Sequence, residues 1–88
     1  MGYKIDFSHK AKEHLKVLKK TGDRTIMKKI FKLIEDIEEH PFEGIGKPEA
    51  LKYDLSGYWS RRINREHRLV YKVTDTRTIE IYSLKGHY

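Results

Sequence analysis

The apolar residues of this 88-residue chain change their spacing once, and the change falls at Pro41. Before Pro41 they recur every three or four positions, first from Ala11 to Leu18 and then from Ile26 to Ile37, as on amphipathic helices. Well after Pro41, apolar and polar residues alternate, which is typical of strands with one buried face. Helices followed by a run of strands indicate an α+β fold.

Turn and cap residues set the limits of the helical part. The alternating residues 3–7 predict a short first strand, and Ser8 is suited to cap the helix that follows it. Gly22 suits the end of this helix, and Asp23 suits the start of the next. The second helix should end near His40, because a proline disfavours helical geometry in the residue before it. We therefore expect an antiparallel helical hairpin.

The alternating part predicts four strands joined by short turns. Leu51, Tyr53 and Leu55 are expected to share one face of the first strand, and residues 58–63, 68–73 and 79–84 form the others. The predicted fold is β-α-α-β-β-β-β, an antiparallel sheet with the helical hairpin packed on one face. The opposite face stays open to a ligand. At this length we expect residues 1–88 to form a single domain.

The composition favours a polyanionic partner, because the chain carries a net charge of +6. The absence of cysteine excludes disulfides and thiolate metal sites. No apolar run approaches the roughly 20 residues of a membrane span, and no signal peptide opens the chain, so we expect a cytoplasmic protein. Within residues 61–72 Glu66 is the only acid among five cations, which are Arg61, Arg62, Arg65, Arg68 and Lys72.

Three residues have the chemistry that RNA cleavage needs. RNA carries its own nucleophile, the 2′-hydroxyl, so a protein must supply a base, an acid and a cation for the phosphate. Glu49, Arg68 and His87 are candidates for these roles. Each has a simpler explanation: a surface acid, a surface cation or ion pair, and a frayed chain end. The other histidines lack metal-ligand spacing, so we expect no metal and no cofactor.

Two neighbouring aromatic residues are expected to face opposite ways. Trp59 shares a strand face with Ile63 and is expected to pack in the core. Tyr58 points the other way with Arg62, where it could meet a base.

Longer motifs resemble a known family. They are residues 41–49 (Pro-Phe-Glu-Gly-Ile-Gly-Lys-Pro-Glu), 55–63 (Leu-Ser-Gly-Tyr-Trp-Ser-Arg-Arg-Ile), 66–71 (Glu-His-Arg-Leu-Val-Tyr) and the final His87-Tyr88. Together they resemble the YoeB/Txe toxins of the RelE/ParE superfamily, from about Asp23 to Tyr88. The first helix matches only in pattern.

The resemblance implies a toxin that cuts mRNA in the ribosomal A site without a metal. Glu49 then lies at the family's general base, Arg68 at its phosphate-stabilising arginine and His87 at its general acid. The resemblance also implies RNA-contacting positions at Lys47, Lys52, Arg62 and Tyr88.

The resemblance implies partners as well. They are the ribosome with its mRNA and a YefM-type antitoxin whose acidic C-terminal segment folds on the toxin. Contact with operator DNA through the antitoxin and a homodimer stay open, and no membrane is involved.

One residue departs from the family pattern. Gly86 stands where members often have a basic or aromatic residue, and it is expected to loosen the backbone beside His87. Two other functions stay open: a ParE-like toxin that inhibits DNA gyrase, and a non-catalytic basic nucleic-acid-binding module. The presence of Glu49, Arg68 and His87 together favours the nuclease.

Overall fold

The computed structural model describes residues 3–86. Its elements follow the predicted order β-α-α-β-β-β-β, with one added 3₁₀ helix. The bounds are β1 Lys4–Phe7, α1 His9–Lys20, α2 Arg24–Glu39, β2 Glu49–Ala50, a 3₁₀ helix Tyr53–Leu55, β3 Trp59–Arg62, β4 Arg68–Val73 and β5 Thr78–Ser83.

The helix limits come from the predicted caps. The Ser8 hydroxyl accepts a hydrogen bond from the Ala11 N–H at 3.0 Å, and the Asp23 carboxylate accepts one from the Ile26 N–H at 3.1 Å. Each cap satisfies an N–H that the first helical turn leaves without a partner. α2 ends at Glu39 with His40 as its C-terminal cap, as Pro41 predicts. The helical hairpin is thus confirmed.

The sheet has five strands in the order β1-β5-β4-β3-β2. The pairs formed by β2, β3, β4 and β5 are antiparallel, as expected. The expectation of a wholly antiparallel sheet is corrected at one edge, because β1 pairs in parallel with β5. A parallel pair needs a long connection, and here the helices and the rest of the meander provide it. The α+β fold is confirmed with a mixed sheet.

The first meander strand is much shorter than predicted. It ends at Ala50, and Tyr53–Leu55 form a 3₁₀ helix instead of extending it. Tyr53 adopts a left-handed backbone with φ 58°, which breaks the extended chain. The residue is 91% exposed. The alternation of Leu51, Tyr53 and Leu55 therefore does not mark a buried strand face.

Both helices pack on one face of the sheet. Apolar residues of α1 and α2 form one cluster with Ile63 and Leu84 and with residues of β4 and β5. Neither helix within residues 3–86 has the length and apolar content to cross a membrane. The fully buried members of this core are Ala11, Ile30, Leu33, Ile37, Leu69, Tyr71, Ile79, Ile81 and Leu84.

Candidate active site on the open sheet face

Strand pairing brings Glu49 and Arg68 to the same serine. Glu49 lies opposite Ser60 in the pairing of β2 with β3, and residues so paired have Cβ atoms about 4.5–5.5 Å apart. The Arg68 guanidinium donates a hydrogen bond to the Ser60 hydroxyl at 3.4 Å. Glu49 is exposed and Arg68 is half-buried. A carboxylate and a guanidinium therefore flank Ser60 on the face away from the helices.

The chain returns to this place after β5. The Arg68 N–H donates to the Gly86 carbonyl at 3.1 Å, and the Gly86 N–H donates to Nδ1 of His67 at 3.2 Å. Gly86 has φ 91°, a backbone conformation that favours glycine. Both backbone groups of Gly86 are thus bonded, and the expected loosening of the backbone beside His87 stays a prediction. His87 and Tyr88 lie outside the described residues, so their roles stay predictions.

Two of the predicted RNA-contacting residues line a basic groove of about 410 Å³. Lys47 and Arg62 face it together with Lys29 and Arg65, and none of its lining residues is acidic. No ion pair involves these four cations within residues 3–86. Such a groove is suited to the phosphates of a nucleic acid.

Lys52 lies elsewhere, in a second groove of about 380 Å³. This groove is also lined by Glu49 and by the exposed Tyr53, which was expected to share a strand face with Leu51 and Leu55. The turn-forming composition of residues 54–57, Asp-Leu-Ser-Gly, is the signal that points to the correct structure. An exposed aromatic ring beside a carboxylate and a cation can stack on a base.

Arg61 does not belong to the basic surface. It is fully buried, and all five of its N–H groups are bonded. Nε donates to the Tyr71 hydroxyl at 3.2 Å. Nη1 and Nη2 donate to four acceptors, which are the Asp36 carboxylate and the carbonyls of His40, Glu43 and Ile45. Of the five cations within residues 61–72, Arg61 is therefore not available to a polyanionic partner, because its guanidinium faces the helices and not solvent.

The acceptors around Arg61 fix the segment between α2 and β2. The Asp36 carboxylate also accepts from the Ile45 N–H at 3.1 Å, and the Tyr71 hydroxyl donates to the Pro41 carbonyl at 2.6 Å. The Gly46 carbonyl accepts a hydrogen bond from the Arg62 N–H at 2.7 Å. A Cβ on Gly46 would lie 2.7 Å from a Leu33 methyl group, so only glycine fits there. Residues 40–46 are thus held firmly just before Lys47 and Glu49.

Burial and the neighbouring charges shift the pKa values of Asp36 and Tyr71 in opposite directions. Burial by itself would raise the pKa of the Asp36 carboxyl, but the hydrogen bonds from Arg61 and the Ile45 N–H, with the charges of Arg61 and His40, lower that pKa below its ordinary value of 3.8. Burial raises the pKa of the Tyr71 phenol above 10.0, despite the opposing effect of Arg61. The carboxylate therefore stays ionised and the phenol stays protonated near neutral pH.

The aromatic residues lie on the predicted sides of the sheet. Trp59 packs against the core, with its ring 5.0 Å from that of Phe42. Tyr58 lies 5.2 Å from the Tyr82 ring, and the Lys72 ammonium lies 5.2 Å from the Tyr58 ring. Tyr58 is therefore already packed on one side.

Within residues 3–86 no three His, Asp or Glu side chains converge as a metal site would require.

Comparisons with known proteins agree on one family. Residues 7–88 match the family described as "YoeB-like toxin of bacterial type II toxin-antitoxin system". A relative named Toxin YoeB from Streptomyces coelicolor is 58% identical over 67 residues, which cover 76% of this chain and 79% of the relative.

Solved structures give the same result. The structure of a YoeB dimer from Staphylococcus aureus has a TM-score of 0.87 and 48% identity, with full coverage of both chains. A heterotetrameric YoeB–YefM toxin–antitoxin complex from the same organism has a TM-score of 0.84 and 48% identity, also over both full chains.

The fold and the sequence thus belong to a small bacterial toxin of the type II toxin–antitoxin class. Within that class, this chain belongs to the family of YoeB-like toxins.

Proposed function

We propose that the chain is a metal-independent endoribonuclease that cleaves mRNA in the ribosomal A site and so inhibits translation in the cytoplasm. The observation that carries the proposal is the placement of Glu49 and Arg68 on either side of Ser60 on one open face. Membership of the YoeB-like toxins supports it. The bonded backbone of Gly86 beside Arg68 supports a role for the next residue, His87, at the same place.

Each candidate residue has a defined task in the proposed reaction. Glu49 removes the proton of the 2′-hydroxyl, and the 2′-oxygen then bonds to the adjacent phosphorus. Arg68 binds the non-bridging oxygens, on which negative charge develops in the transition state. His87 donates a proton to the 5′-oxygen as its bond to phosphorus breaks. The products are a 2′,3′-cyclic phosphate and a 5′-hydroxyl. Four residues would hold the RNA: Lys47, Lys52, Arg62 and Tyr88.

We further propose a YefM-type antitoxin as the inhibiting partner. The related Staphylococcus aureus toxin has been solved with YefM and also as a dimer, which supports both assemblies for this chain. An acidic antitoxin segment would find in the basic groove four cations that form no ion pair with other described residues. Such a segment would compete with RNA for the same surface. Contact with operator DNA would then pass through the antitoxin.

The function is tested by adding purified protein to ribosomes programmed with mRNA. We expect cleavage that EDTA does not inhibit, with 5′-hydroxyl ends on the downstream fragment. Glu49→Gln and Arg68→Ala should each lower the cleavage rate by about 10²–10⁴-fold. Glu43→Gln is the matched control, since it removes an exposed carboxylate from the nearby loop.

Other outcomes separate the other candidate functions. A 5′-phosphate product, or activity lost on chelation, would contradict the proposed chemistry. Binding without cleavage would indicate a non-catalytic module, and inhibition of DNA gyrase would indicate a ParE-like toxin.

A further inference from the structure

Two imidazoles hold the C-terminal segment, which we define as Leu84 to Gly86. The Leu84 N–H donates to Nδ1 of His14 at 3.1 Å, and the Gly86 N–H donates to Nδ1 of His67 at 3.2 Å. His14 belongs to α1, whereas His67 immediately precedes β4. The segment is therefore attached to two elements that are far apart in sequence.

Both contacts require a neutral imidazole. A ring nitrogen accepts a hydrogen bond only when it carries no proton, so each histidine holds its proton on Nε2. Protonation of Nδ1 would turn the acceptor into a donor that faces the backbone N–H. Leu84 is fully buried, so its N–H could not turn to water without a change in the segment.

We propose that His14 and His67 form a clasp that keeps Gly86 beside Arg68 only while both imidazoles are neutral. The link from the clasp to RNA cleavage rests on the proposed function. His14 and His67 are positioning residues in this proposal, since they act through the backbone and not on the RNA.

The charges around the clasp are of both signs. Lys10 on the same helix, Lys85 in the segment and His67 all face His14. Burial lowers the pKa of the His14 imidazole below 6.5, and the charges of Lys10 and Lys85, with that of His67 when it is protonated, lower this pKa further. Glu66 faces His67, with 3.6 Å between its Oε2 and the imidazole Nε2.

The sign of the pH effect follows from His14. A group whose pKa is lowered on folding gives its full contribution above its ordinary value of 6.5. That contribution is lost as the pH falls through the lowered value. The clasp should therefore be closed at neutral pH and open in acid.

The test compares two kinds of variant at each histidine. His14→Leu and His67→Leu remove the acceptor. His14→Asn and His67→Asn keep an acceptor oxygen near the position of Nδ1 but cannot titrate. His9→Asn is the control, since His9 lies on the same helix with its side chain 91% exposed. Two quantities are measured against pH: exchange protection of the Leu84 and Gly86 amides by NMR, and the single-turnover rate of mRNA cleavage at saturating ribosomes.

The clasp predicts a distinct result for each variant. In the parent, protection of the Leu84 amide and the cleavage rate should fall together as the pH drops below 6.5 and through the lowered pKa of His14. Each leucine variant should lose about three- to tenfold in both at neutral pH, the usual worth of one hydrogen bond. The asparagine variants should regain most of this loss and show a flatter pH profile. Should a leucine variant fail to fold, the flatter profile of the asparagine variants still decides.

Two results would overturn the clasp. One is unchanged protection of Leu84 and Gly86 in the leucine variants. The other is altered protection with a parent cleavage rate at every pH, which would remove the positioning role. A parent protein that cuts no mRNA refutes the proposed function instead. In that case the exchange protection of the Leu84 and Gly86 amides alone decides whether the clasp exists.

Discussion

Arg61 uses every N–H of its guanidinium on groups that fix residues 40–46, and this segment leads directly to Lys47 and Glu49. The buried charge is neutralised by Asp36, whose side chain is 25% exposed. Removal of one partner from such a pair is costly, because it leaves the other charge buried without compensation. At the scale of single residues, the shape of the site therefore depends on a side chain that never meets the ligand.

Asp36→Asn tests this dependence through stability. The amide keeps the shape but loses the charge, so we expect a loss of about 2 kcal/mol in the free energy of unfolding at neutral pH. The lowered pKa of Asp36 fixes the sign of the pH dependence. Its contribution is complete above 3.8 and is lost as the pH falls through the lower folded value. The parent and the variant should thus converge in acid.

Urea unfolding of both proteins at neutral and acidic pH measures the difference. Glu35→Gln is the control, since it removes an exposed carboxylate from the same helix. A gap between parent and Asp36→Asn that does not shrink in acid would contradict the assigned role of the ion pair.

At the scale of elements, the sequence predicts structure well where one local signal decides it. Ser8, Asp23 and Pro41 each act within one helical turn, and the helix limits fall where they predict. The 3₁₀ helix at Tyr53 and the parallel pairing of β1 with β5 were not predicted, because the first depends on a left-handed backbone and the second on the path of the whole chain.

In the candidate site, too, some residues could be placed from local sequence spacing and others could not. Spacing predicted that Arg68 faces away from Leu69, and the register of β2 with β3 then brings Glu49 to the same place. Spacing could not separate Arg61 from Arg62, because both lie in one basic run. The one signal that distinguishes them is Asp36, which lies on α2 three residues after the buried Leu33 and so on the side of the helix that faces the sheet. A carboxylate there needs a cation from the sheet, and Arg61 is that cation.

The proposed role of the last two residues, His87 and Tyr88, can be tested by truncation. The described core ends at Leu84, so deletion of His87 and Tyr88 should change the free energy of unfolding by no more than about 0.5 kcal/mol. Cleavage should fall by about 10²–10⁴-fold, because the 5′-oxygen would leave without a proton. Thermal unfolding and mRNA cleavage are measured on the same preparation. A truncated protein that still cuts at the parent rate would remove His87 from the mechanism.

At the scale of the whole molecule, the side chains that give the net charge of +6 are unevenly distributed over the surface. Cations that form no ion pair within residues 3–86 surround the basic groove, which begins beside β3 and reaches Lys29 on α2. Because phosphate contacts release counterions, affinity for RNA should fall steeply as salt rises. The same field should attract an acidic antitoxin segment, which orders itself only on binding.

Replacement of Arg62 and Arg65 by glutamate tests whether RNA binding depends on this groove or only on the net charge of the protein. We expect weaker binding of single-stranded RNA and of ribosomes, and a smaller salt slope by about 0.7 for each lost phosphate contact. The control reverses Lys12 and Lys16 on α1, which are exposed and change the net charge equally. RNA binding is measured by fluorescence anisotropy over a range of salt, and antitoxin binding by calorimetry.

If both double variants weakened binding equally, net charge and not the groove would account for the affinity. If only the groove variant lost both partners, RNA and antitoxin would share one surface, and inhibition would follow from direct competition there.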